Sequence, residues 1–221
     1  MANQFEKARF NMVEQQVRPW EVINPRVLSL METLPREAFV PEAYRDLAYA
    51  DIEIPIGLGQ SMMFPRIEGR LMQALDLQPN DKVLEVGTGS GYLTACLANL
   101  AKQVISIDIH PEFTDTAANK LEQQGIHNAT LLRGDALANA TQGSPFNAIA
   151  VTGSLPTSQQ AEIFRQQLAI GGRMFVIIGQ APVMSCQLVT RHDVKIFQEE
   201  TIFESEVAAL ENAPVPIEFN F

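Results

Sequence analysis

The chain has 221 residues, enough for one domain with a small appended lobe, and 46% of them are hydrophobic, so a sizeable core can be buried. With 26 Asp and Glu against 16 Lys and Arg, the formal net charge is −10, which repels phosphate backbones and argues against a nucleic-acid partner. Two distant cysteines, Cys96 and Cys186, and three scattered histidines show no disulfide framework and no metal-ligand spacing, so no metal site is expected. Met1 to Arg18 is amphipathic and carries acids, unlike a signal peptide, and no later stretch is apolar for long enough to span a bilayer. A cytoplasmic location without a membrane partner is the expectation.

Taken in order, Phe5 to Val17 and Pro25 to Leu34 have helical period, Phe39 to Gln60 is irregular and rich in Pro and Gly, and Ile67 to Leu77 is helical again. From Lys82 onward the pattern alternates. Strands are predicted at Lys82–Val86, Val104–Asp108, Ala129–Arg133, Ala148–Thr152 and Arg173–Ile178, with helices at Gly91–Leu100, Pro111–Gln124 and Thr157–Leu168. Gly171-Gly172 reads as the stop of the third helix. Two further β runs, Ser185–Arg191 and Val194–Phe203, flank His192-Asp193, which reads as a two-residue hairpin turn. The fold expected is α/β: a mostly parallel, doubly wound sheet ending in an antiparallel hairpin. Residues 1–80 would form an N-terminal helical lobe on the substrate side and 81–221 the cofactor domain, together one compact unit.

The most informative stretch is Val83-Leu84-Glu85-Val86-Gly87-Thr88-Gly89-Ser90-Gly91. An apolar strand enters three alternate glycines, Gly87, Gly89 and Gly91, and a helix follows. Such a turn lets the backbone approach a nucleotide-type ligand. A dinucleotide fingerprint would need glycine where Tyr92 stands. Glu85, just before the loop, would repel a pyrophosphate but suit a cationic amino group, which favours S-adenosylmethionine (SAM) over a nicotinamide cofactor. Asp108 ends the second strand, 19 residues after Gly89, where a carboxylate can bind both ribose hydroxyls. Asp135, after the third strand, can accept from an adenine amino group. The cofactor-side candidates are therefore Glu85, Gly87, Thr88, Gly89, Gly91, Asp108, Ile109, Asp135 and Ala136.

Several separated motifs agree in order: Pro35-Arg36-Glu37-Ala38-Phe39-Val40-Pro41, Tyr44 to Tyr49, Ile54-Pro55-Ile56-Gly57 with Gly59-Gln60, and Val83 to Tyr92. Together they resemble the protein-L-isoaspartate O-methyltransferases, from about Phe10 to Gly179. The resemblance implies a SAM-dependent, Rossmann-like carboxyl O-methyltransferase that esterifies isoaspartyl residues of damaged proteins, a repair activity; a small acid is the other acceptor considered. It also implies that Glu85, Gly87, Asp108, Asp135 and Ala136 hold SAM. The departure is at the catalytic edge. Where the family reads Thr-Ile-Ser after Gly-x-Gly-Gln, this chain reads Ser61-Met62-Met63, so methionine stands at the position of the active-site serine and cannot donate a hydrogen bond. Ser61 is the remaining catalytic candidate. Gln60, Met62, Met63 and Arg66 are the substrate-side candidates, Arg66 as a clamp for an acceptor carboxylate. The same spacing admits a SAM methyltransferase with another acceptor, or a non-catalytic SAM-binding module. The tail Ala213 to Phe221, with Phe219 and Phe221, is expected to dock somewhere.

Overall fold

The structure is a computed structural model that describes residues 2–215; the predicted docking aromatics Phe219 and Phe221 lie outside the described residues. Helix α1, Ala2–Met12, tightens into a π turn over Val13–Val17 and a 3-10 turn over Arg18–Trp20. Helix α2, Pro25–Thr33, begins where the Asn24 side chain accepts from the Arg26 amide at 3.0 Å, a side-chain cap followed by proline in the first turn. The stretch read as irregular holds a 3-10 turn, Glu42–Leu47, and a small hairpin, β1 (Ile54–Gly57) and β2 (Gln60–Met62). The N-terminal segment is therefore not purely helical. Helix α3, Pro65–Leu75, follows the hairpin directly.

The alternating part begins at β3, Lys82–Val86, and continues through α4 (Tyr92–Leu100), β4 (Gln103–Asp108), α5 (Pro111–Gln123), β5 (Ala129–Arg133) and β6 (Phe146–Leu155). A four-residue helix α6, Glu162–Arg165, leads to β7 (Leu168–Gln180), β8 (Val183–Asp193) and β9 (Ile196–Glu204). The strand order is β5-β4-β3-β6-β7-β8-β9. Pairs from β5 to β7 are parallel; β7–β8 and β8–β9 are antiparallel. The chain steps outward from β3 to β5 and then returns to β6 on the other side of β3. That reversal opens a crevice at the carboxyl ends of the strands, where doubly wound sheets bind ligands.

Side chains alternate across the sheet. Val83, Val104, Ala148, Ala150, Phe175 and Ile177 face one buried cluster, shared with Met12, Val17, Met31, Met72 and Leu97. Leu84, Val86, Ile105, Ile107, Ile149, Val151, Met174 and Val176 face a second, closed by Phe164. The N-terminal helices thus share a core with the first face of the sheet.

Three sequence expectations differ from the structure. The helix expected over Thr157–Leu168 is a 3-10 turn, Ser158–Ala161, followed by α6. The Phe146 amide bonds to the Gln167 carbonyl at 2.8 Å and Phe146 pairs with Leu168, so sheet pairing captures the end of that stretch. Gly171 and Gly172 lie inside β7, next to a register shift opposite Phe146 and Ala148, rather than at a helix end. The hairpin turn is Val194-Lys195: Asp193 pairs with Ile196, and its side chain accepts from the Val194 amide at 2.7 Å.

Gly91 shows what the glycine loop requires. It starts α4 at φ +84, and a Cβ there would sit 2.9 Å from Ala117 Cβ on α5. Both the left-handed backbone and the helix contact exclude a side chain. Gly91→Ala should destabilise the fold by about 2 kcal/mol, read as a lower urea midpoint with an unchanged m-value.

Candidate active site

A cavity of about 320 Å³ opens over the carboxyl ends of β3, β4, β5 and β6, at the small end of typical ligand sites. The glycine loop forms its floor. The Gly87 amide donates to the Ile107 carbonyl at 2.8 Å, and the Gly91 amide to the Thr88 carbonyl at 2.9 Å. Gly87 has φ +95, and the place a Cβ would take is filled by the Thr152 hydroxyl, which donates to the Val86 carbonyl at 2.8 Å. The absent side chains at Gly87 and Gly91 therefore serve packing within the protein, whereas the sequence suggested access for a ligand.

Glu85 is fully buried. Its Oε2 accepts from the Thr94 hydroxyl, while its Oε1 has no hydrogen-bond partner among the described residues. Burial pushes its carboxyl up to about 8; the nearby Ser106 and Thr94 hydroxyls oppose this, and the charges of Asp108 and Glu68 add to it. An acid in that position, with a bare oxygen, fits a cationic donor. Asp108 is held in place by the backbone: Oδ2 accepts from the Gly89 amide and Oδ1 from the His110 amide, each at 2.9 Å. Asp135 Oδ1 accepts from the Leu137 amide at 2.8 Å, and Oδ2 from Asn212 Nδ2 at 3.0 Å. These acids stand along the ends of three neighbouring strands, with one side of the cavity open to a nucleoside. In charge and hydrogen-bonding capacity the residues present fit SAM, a donor that carries an amine, a ribose and an adenine.

Of the residues singled out from sequence, Gln60, Ser61, Met62, Met63, Glu85, Gly87, Thr88, Gly89, Asp108, Ile109, Asp135 and Ala136 all line this one cavity. Gly91 and Arg66 do not. Arg66 pairs with Asp51 and stacks over Phe64 at 4.0 Å and Trp20 at 4.7 Å, so its guanidinium is already committed away from the cavity. Trp20 packs edge-on against Phe203 on β9 at 6.0 Å.

Sequence reasoning passed over Glu53, Glu68, His110, Thr152 and the segment Val207 to Glu211, all of which line the cavity. His110 was within reach, two residues beyond Asp108. The C-terminal segment carried no local signal. It reaches the site by pairing with β6, where the Ser154 amide donates to the Ala208 carbonyl and the Leu210 amide to the Ser154 carbonyl, each at 2.9 Å. Glu211 then accepts from Gln60 Nε2 at 2.9 Å and meets His110 Nε2 at 2.6 Å, tying the β1–β2 hairpin to the end of β4.

Comparison with known proteins follows the same lines. The family model described as protein-L-isoaspartate(D-aspartate) O-methyltransferase matches residues 8–207. A protein-L-isoaspartate O-methyltransferase of Syntrophus aciditrophicus is 40% identical over 204 residues, covering 91% of this chain and 93% of the relative. Its counterpart in Aeropyrum pernix is 40% identical over 182 residues, covering 80% and 69%. Among solved structures, a protein-L-isoaspartate O-methyltransferase superposes with a TM-score of 0.78 at 21% identity, covering 94% of this chain and 66% of that longer one. A Plasmodium falciparum protein described as the same enzyme, in complex with S-adenosyl-L-homocysteine, gives a TM-score of 0.77 at 18% identity, covering 94% and 98%. These two structures establish the fold.

Asp108→Ala and Glu85→Ala should each weaken binding of S-adenosylhomocysteine by about tenfold or more, the scale of a lost charge-assisted hydrogen bond. Titration calorimetry reads this directly, and an unchanged Kd removes that residue from the site.

Proposed function

We propose a division of labour among residues for this chain, which belongs to the protein-L-isoaspartate(D-aspartate) O-methyltransferase family and is a SAM-dependent O-methyltransferase. The acceptor is the free carboxylate of an isoaspartyl residue in a damaged protein, and the product is its methyl ester. The observation that carries this assignment is a single cavity walled on the sheet side by Glu85 and Asp108 and on the other by Gln60 to Met63 of the hairpin segment.

When bound, SAM supplies a methyl group on a sulfonium, an electrophile that an oxygen nucleophile attacks in line. A carboxylate has a reference pKa near 4, so at neutral pH it needs no general base. What this chain supplies is position and exclusion of water. Glu85 takes the amine of the cofactor and Asp108 the ribose, which fixes the reacting carbon. The acceptor enters from the side of residues 1–80, which we assign as the substrate lobe against the cofactor domain 81–221. There the Met63 carbonyl accepts from Arg36 at 2.8 Å, so the segment is held by its backbone even though the Met63 side chain offers no hydroxyl. Ser61, exposed at the cavity rim, is the hydroxyl that can reach the acceptor. The Arg66 clamp expected from sequence is not formed, and among the described residues no Lys or Arg lines the cavity.

No helix among the described residues is long and apolar enough to cross a membrane. The cytoplasm is the location we propose, with proteins carrying isoaspartyl residues as partners. The net charge of −10 disfavours nucleic acid.

Methionine at position 63 favours one second reading, a different acceptor on the same scaffold. Labelled SAM with matched peptides containing aspartate or isoaspartate separates the two. Base-labile label on the isoaspartyl peptide alone is expected; label on neither peptide, with SAM binding intact, selects the second reading. Met63→Ser should raise turnover on the isoaspartyl peptide about fivefold, the worth of one added hydrogen bond of ~1 kcal/mol.

A further inference from the structure

Beneath the cavity lies a second acid that the assignment above does not use. Glu68, in the first turn of α3, is 2% exposed and lines the cavity beside Glu85. Its Oε2 pairs with Arg36, which is fully buried and stacks over the Tyr92 ring at 4.8 Å. The hydrogen bond of Glu68 to the protein runs through that oxygen to Arg36 Nη1. Two buried carboxylates thus line the same cavity, Glu85 with its Oε1 bare and Glu68 paired to Arg36, and among the described residues Arg36 is the guanidinium that pairs with either. An acid left bare in a buried wall is costly unless a ligand completes it.

We propose that Glu68 and Glu85 together form a two-carboxylate seat for the ammonium of the cofactor, with Arg36 as the residue that holds Glu68 in place. This rests on SAM being the cofactor of this site. The ammonium offers three donors, of which each acid takes one. The groups facing the pair are Arg36 from the 3-10 turn after α2, Tyr92, Thr94 and Cys96 from α4, and Ser106 and Asp108 from β4. Burial holds the Tyr92 hydroxyl and the Cys96 thiol well above their ordinary values, so neither supplies charge at neutral pH. Burial also pushes Glu85 up to about 8 and, against the pull of Arg36, Glu68 up to about 7. In the free protein near pH 7 the seat therefore retains a proton. An arriving ammonium favours both charged forms, so that proton passes to the buffer. The sign follows: affinity for a cationic amine rises with pH between about 6 and 8 and levels off once both acids are ionised.

The test uses the full chain and two probes, S-adenosylhomocysteine, which carries the amine, and 5′-methylthioadenosine, which keeps the nucleoside and lacks it. Calorimetry at pH 7 in buffers of different ionisation enthalpy should show about one to one and a half protons released with the first probe and almost none with the second. Glu68→Gln, which still accepts from Arg36, should weaken S-adenosylhomocysteine about tenfold and reduce the proton release, leaving methylthioadenosine unchanged. If Glu85→Gln weakens S-adenosylhomocysteine while Glu68→Gln alters neither its affinity nor the proton count, the seat is Glu85 alone and the proposal is overturned, with the cofactor assignment intact. Equal weakening of both probes by Glu68→Gln means a structural role and overturns it as well. Failure of both variants to change either probe removes the cofactor assignment itself. Should Glu68→Gln unfold, the double change Arg36→Met with Glu68→Met replaces the pair by apolar volume. It must then lose affinity for S-adenosylhomocysteine and not for methylthioadenosine.

Discussion

A carboxylate buried near the end of β3 is the constraint around which the site is organised. Glu85 has no exposed surface, and only one of its oxygens is engaged by a hydroxyl. The effective cost of burying an ion is several kcal/mol, which the fold bears by keeping the group protonated when nothing is bound. The loop that follows must then turn away from the strand without a side chain, because Thr152 and Ala117 fill the space at Gly87 and Gly91. That turn delivers the Gly89 amide to Asp108 and aligns the second acid with the first. Charge, loop geometry and strand order are therefore one linked arrangement and not three separate features.

How much of this was legible in the sequence depends on how local each cause is. The strands Lys82–Val86 and Ala129–Arg133 match residue for residue, and Asp108 ends its strand as expected. Their signals are apolar runs ending in turn residues, which are local. The third helix failed because Leu168 to Gly172 had a stronger claim from β6, a partner more than a dozen residues away. Arg66 read as a free cation because Asp51, Phe64 and Trp20 come together around it only through the hairpin and the turn after α1. The C-terminal roof was invisible for the same reason: Val207 to Glu211 owes its place to Ser154, over 50 residues earlier.

That roof changes how the two sides of the cavity communicate. Glu211 accepts from Gln60 on the acceptor side and contacts His110 on the cofactor side, and Asn212 donates to Asp135. One short segment thus touches the hairpin, the end of β4 and the end of β5. The bonds of Glu211 and Asn212 lie at the partly exposed rim, while Val207, Ala208 and Leu210 are held by buried bonds to Ser154 and Met184. The rim contacts are the weaker set, since exposed polar pairs contribute little while buried backbone bonds are costly to leave open.

Acidity of the wall sets a further condition on the chemistry. Glu53, Glu68, Glu85, Asp108, Asp135 and Glu211 line the cavity with His110 as the lone basic side chain among them. An acceptor carboxylate entering such a space meets repulsion that no guanidinium offsets, and low dielectric magnifies it. Two features reduce that penalty. Burial keeps Glu85 and Glu68 partly protonated, and it raises Glu53 as well, with the charge of Glu206 adding to the effect. A cofactor that brings a sulfonium and an ammonium then supplies the positive field which the side chains lack.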